Sequence, residues 1–110
     1  MPNVKLFVDS GLWEDRKRDL LGCADALRDL LCGELSVPVD ACQIAFIPCF
    51  GPSGQPTVNV EIALMRAAGR TPQKIEHVAS KIRLMIEAAS GDRTAVRCTQ
   101  LDHESYFKLK

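Results

Sequence analysis

Two stretches of alternating residues constrain this chain more than any other feature. In Asn3–Asp9, Val4, Leu6 and Val8 fall on one side while Lys5, Phe7 and Asp9 fall on the other. In Thr57–Met65, Val58, Val60, Ile62 and Leu64 alternate with Thr57, Asn59, Glu61 and Ala63. A period of two is the signature of a strand with one buried face. Each strand leads into a helical pattern and then into a further strand pattern. After the first, Leu20, Ala24, Leu27 and Leu31 recur at helical spacing within Trp13–Leu35, ended by Gly33 and the Ser36-Val37-Pro38 stretch, and Cys42–Cys49 reads as a strand. After the second, Thr71-Pro72 marks a helix start, since threonine caps well and proline costs nothing at the first helical position. Ile75, Val78, Ala79, Ile82, Met85, Ile86 and Ala89 follow, Gly91 stops the helix, and Thr94–Thr99 reads as the last main strand, with Ser105–Leu109 as a possible terminal one.

The order β-α-β-β-α-β predicts an α+β fold: two β-α-β halves forming a four-stranded mixed sheet with two helices on one face. Phe7, Ala45, Ile47, Ala63 and Met65 fall on the other face. A bare apolar face is unstable in water, so the pattern implies self-association. At 110 residues the chain has the size of a single domain, residues 1–110. Fourteen basic and fourteen acidic residues balance to zero net charge with no basic run, which argues against nucleic acid. No apolar run approaches a membrane span and no secretory signal is visible, so a cytoplasmic protein is expected. The five cysteines show no CxxC spacing and read as small buried hydrophobes in a reducing compartment; His77 and His103 lie far apart, so neither a metal site nor a cofactor is expected.

The element order also occurs in the ferredoxin-like fold, which would make the chain a non-catalytic module binding a small ligand or partner. A different resemblance draws on particular stretches: Met1-Pro2 ahead of strand one, QIAFIP leading into a glycine-containing loop, TVNVEIALM, AAGRTPQK turning into the second helix, DRTAVRCTQ, and the Tyr106-Phe107 pair. In these pieces and their spacing the chain resembles the tautomerase superfamily, the group of macrophage migration inhibitory factor and carboxymethyl-hydroxymuconate isomerase. The match suggests a short branch with no assigned substrate. The resemblance implies a homotrimer with inward-facing sheets and, at each N-terminal proline, an active site lined in part by a neighbouring subunit.

That resemblance gives Pro2 a chemical role. Once Met1 is removed, Pro2 carries a secondary amine. An α-amino group ordinarily titrates near ~7.7–8.0. An apolar pocket or a nearby cation lowers that value, leaving a neutral base. Such a base can move a proton between carbon and oxygen of a small keto–enol acid, provided positive charge meets the developing oxyanion. Arginine forks suit both that oxyanion and a substrate carboxylate. Arg70, in the turn before the second helix, is the first candidate and Arg97, within the last strand, the second; Arg66 comes third. Plain structural roles compete: Arg70 solvating a turn, Arg97 on the wet face of an edge strand, Trp13 anchoring a helix start. The chain also departs from the resemblance. Ser10-Gly11-Leu12-Trp13 stands where the shortest tautomerases carry an arginine, Arg16 and Arg18 lie on the first helix, and Glu34-Leu35 replaces a basic residue that some relatives place after it. The non-catalytic ferredoxin-like or tautomerase-like module is therefore the alternative reading.

Overall fold

The computed structural model describes residues 2–110; Met1, whose removal the tautomerase reading requires, lies outside the described residues. The elements run β1 (Asn3–Asp9), α1 (Ser10–Gly22), α2 (Ala24–Leu35), a short 3-10 turn (Val39–Ala41), β2 (Gln43–Cys49), β3 (Val58–Met65), α3 (Pro72–Ser90) and β4 (Thr94–Leu101). The sheet order is β2-β1-β3-β4. Each β-α-β half supplies a directly adjacent parallel pair, β1 with β2 and β3 with β4, and the halves meet antiparallel along β1 and β3. The ferredoxin-like alternative is thereby corrected, because its split β-α-β units place another strand between the two parallel strands of each half.

The core forms where the alternating strand faces meet the helices. Val4, Leu6, Val8, Val58, Val60, Ile62 and Leu64 pack against Leu20, Leu27, Leu31, Val78, Ile82 and Ile86, all buried. Trp13 anchors α1 against β2, its ring centroid 5.9 Å from that of Phe46.

Beyond shifts of one or two residues at strand ends, the first helix and the tail differ from the sequence expectation. The first helix begins at Ser10, because the Asp9 carboxylate caps it by accepting from the N–H groups of Gly11 (3.1 Å) and Leu12 (3.4 Å). It is also two helices rather than one. At Cys23 the backbone tightens to a bond from its N–H to the Leu20 carbonyl, and the Cys23 thiol donates to that same carbonyl at 2.9 Å. Gly22 beside it has the weakest helical preference short of proline. Finally, no strand forms over Ser105–Leu109: the chain turns after Asp102, and Phe107 and Leu109 are exposed.

The face opposite the helices is more polar at its centre than its apolar residues alone suggest. Phe7, Ala45, Ile47, Ala63 and Met65 do lie on it, but Lys5, Glu61 and Arg97 form one row across β1, β3 and β4. Glu61 thus has a cation in register on each neighbouring strand.

Candidate functional site

Because β3 runs antiparallel to β1, the end of β3 and the turn after it lie beside the start of β1. Pro2 occupies that start. It is fully buried, and its carbonyl accepts from the Gln43 N–H at 3.0 Å, extending the β1–β2 pairing by one residue. In the turn after β3, Gly69 takes a left-handed conformation (φ 85°) that suits glycine. The Arg70 guanidinium reaches back to donate from Nη1 to the Met65 carbonyl at 2.6 Å. Its own carbonyl accepts from Gln100 Nε2 at 3.3 Å. Pro2 and Arg70 therefore share one end of the sheet. A guanidinium carries five N–H donors, so one bond to Met65 positions the fork without exhausting it.

Arg97 lies elsewhere. It stands in register with Glu61, on the open face and one row in from the sheet end. Its Nη1 donates to Asn59 Oδ1, while Asn59 Nδ2 donates to Glu61 Oε2 at 3.3 Å. Arg97 lines a shallow groove of about 330 Å³ with Asn3, Lys5, Glu61 and Thr99. One chain by itself does not bring Arg97 to the same side of the sheet as the Pro2 ring, whose position follows the buried alternation of Val4 and Leu6. Arg66 contributes backbone: its N–H donates to Leu101 O, and its carbonyl is 3.0 Å from His103 Nε2. A groove of about 540 Å³ sits at the far end of β1 among Phe7, Asp9, Cys49, Gln55 and Asn59.

A charged cluster on the helix layer belongs to the Pro2 end. Glu34, in the last turn of α2, accepts from Lys74 Nζ at 2.7 Å and Lys81 Nζ at 2.8 Å, and His77 Nε2 lies 3.8 Å away. The hydrogen bonds from Lys74 and then Lys81 hold its carboxyl down from the ordinary 4.5 to about 2. Sequence reading saw an acid in place of a base here and missed that α3 returns the positive charge. The signal was present: Lys74, His77 and Lys81 recur on one stripe of α3. A carboxyl held below its ordinary value stabilises the fold above that value and stops doing so as pH falls through the bound one. In thermal unfolding, Glu34→Gln should therefore lower the midpoint at pH 7, modestly because the lysines are partly exposed. The gap to wild type should close between pH 4.5 and about 2. A gap that persists unchanged down to pH 2 would rule out the ion cluster as its source.

Among the described residues, no group of three or more histidine, cysteine or acidic side chains could hold a metal ion, and no helix is long and apolar enough to cross a membrane.

Adjacent parallel pairs joined antiparallel at the centre, helices on one face and proline at the head of a central strand define an α+β architecture of the tautomerase, or MIF-like, type. Solved structures agree. The macrophage migration inhibitory factor-like protein of Entamoeba histolytica superposes with a TM-score of 0.71 at 13% identity, over 97% of this chain and 94% of that one. The asymmetric trimer of F6 fused 4-OT gives 0.71 at 15%, over 96% and 91%. N1, a member of the cis-3-chloroacrylic acid dehalogenase family, gives 0.70 at 18%, over 96% and 79%. The chain has the tautomerase fold, and at these identities the likeness is one of fold. No protein-family model matches the sequence. No curated protein matches it.

Proposed function

We propose that this chain is a tautomerase or isomerase whose N-terminal proline, freed by removal of Met1, is the general base for small keto–enol acids. The observation that carries this reading is the placement of Pro2: buried at the head of a central strand, at the sheet end where Arg70 holds a fixed guanidinium. Burial disfavours an ammonium more than a neutral amine, so this setting suits a base. Arg70 is assigned to the substrate carboxylate or the developing oxyanion. Arg97 is assigned to substrate across a subunit boundary, since it lies on the open face. A homotrimer follows in this reading: the open sheet faces cover one another, and a neighbour supplies the side of the site that one chain leaves open. The trimeric state of the F6 fused 4-OT structure supports it.

The test is conversion of the enol form of phenylpyruvate to the keto form, alongside sedimentation at micromolar concentration. Turnover by a trimer lacking Met1 is the expected result. A clean monomer would overturn the assembly. A trimer lacking Met1 that is inert towards a panel of small enol acids would overturn the catalytic reading. The second reading is a non-catalytic tautomerase-like binding module, favoured by Ser10-Gly11-Leu12-Trp13 standing where the shortest tautomerases carry an arginine.

A further inference from the structure

The connection between α2 and β2 brings two thiols together. Cys32 lies in the last turns of α2 and Cys42 immediately precedes β2, ten residues later. Between them the chain reverses through Ser36, in the left-handed region (φ 55°), with the Val37 N–H returning to the Cys32 carbonyl at 3.2 Å. The 3-10 turn then delivers Cys42, whose N–H donates to Val39 O. The result is a Cys32 Sγ to Cys42 Sγ distance of 3.5 Å, within contact for two sulfurs, with both residues partly accessible.

We propose that Cys32 and Cys42 form an oxidisable dithiol, which a hydroperoxide converts to an intramolecular disulfide fastening the end of α2 to the start of β2. The first step is attack of the Cys32 thiolate on the peroxide O–O bond. It gives a sulfenic acid on Cys32 and, after protonation, water or an alcohol. In the second step Cys42 sulfur attacks the Cys32 sulfur, the S–O bond breaks, and the Cys42 proton leaves with the departing hydroxide as water. Two thiols are oxidised and one peroxide is reduced.

The order of attack follows from the surroundings. Burial, and next its hydrogen bond to Cys32, push the Cys42 thiol up to about 11. Cys42 therefore keeps its proton until the second step, in which it resolves the sulfenic acid. Cys23 offers no such pair: its thiol is spent on the Leu20 carbonyl. The consequence reaches the strand start. Cys42 adjoins Gln43, whose N–H holds the Pro2 carbonyl, so the disulfide clamps the segment that pairs with Pro2. This inference stands whether or not Pro2 is catalytic.

The experiment treats the reduced full chain with a few equivalents of hydrogen peroxide and maps it by mass spectrometry without reduction. Four results are expected: loss of two hydrogens per chain, a cross-linked peptide joining Cys32 and Cys42, reversal by dithiothreitol, and slowed amide exchange over residues 36–43. Cys32→Ser and Cys42→Ser should each abolish the cross-link. The decisive mapping uses the wild-type chain, so a serine variant that fails to fold leaves the test intact. Stepwise over-oxidation without a cross-link, a cross-link through Cys23, Cys49 or Cys98 instead, or unchanged or faster exchange over residues 36–43 would overturn the proposal.

Discussion

Pro2→Ala should lower kcat/KM for enol-to-keto conversion by ~10²–10⁴-fold, the range that a positioned general base contributes. The substitution replaces a secondary amine held by a ring with a primary amine on a freer backbone. Its base strength and its direction both change. Because Pro2 is fully buried, some loss of stability is also expected, so the thermal midpoint and the sedimentation of the variant must accompany the kinetics. A folded, trimeric Pro2→Ala protein with turnover within a few-fold of wild type would exclude the amine as the base.

The second large effect concerns the layer that holds Pro2 in place. Ile82 on α3 is fully buried against the strand residues of the core, whereas Leu84, two residues on, is 67% exposed. Truncating a buried isoleucine removes its transfer free energy and leaves a cavity. Ile82→Ala should cost about 2–5 kcal/mol in denaturant unfolding. Leu84→Ala should stay within roughly 0.5 kcal/mol, as surface substitutions usually do. The pair separates packing from helix propensity, because alanine favours the helix at both positions. Equal losses at the two sites would mean that the helix layer is packed differently from the description above.

What could be read from the sequence was what local chemistry dictates. β1 and β3 were legible because a strand exposes its buried face every second residue. The limits of α3 were legible because Thr71 caps its start, its hydroxyl accepting from Lys74 N–H at 3.1 Å, and Gly91 takes the left-handed conformation (φ 73°) at its end. The break at Cys23 was hidden because Leu20, Leu27 and Leu31 keep their helical spacing across it. Only the bond from the Cys23 thiol to a backbone carbonyl reveals the interruption. The tail was misjudged because alternation in SYFKL says nothing about whether a partner strand is within reach.

The site divides in the same way. Pro2 and Arg70 come from segments that sequence motifs mark, and the antiparallel meeting of β1 and β3 carries them to one sheet end. The Glu34 cluster joins residues 40 and 47 positions apart, and the Cys32–Cys42 approach depends on the path of a turn. The basic stripe on α3 does not name Glu34 as its partner, and the two cysteines follow no spacing rule. The thiol pair adjoins the segment that begins β2, whose Gln43 N–H holds the Pro2 carbonyl.

The most direct measurement is a titration of the Pro2 nitrogen by ¹⁵N chemical shift in the purified protein, after intact mass has established the N-terminus. The expected result is a free secondary amine that titrates below the ~7.7–8.0 of an ordinary α-amino group. Retained Met1, which leaves no amine on Pro2, or a value at or above that range would contradict it.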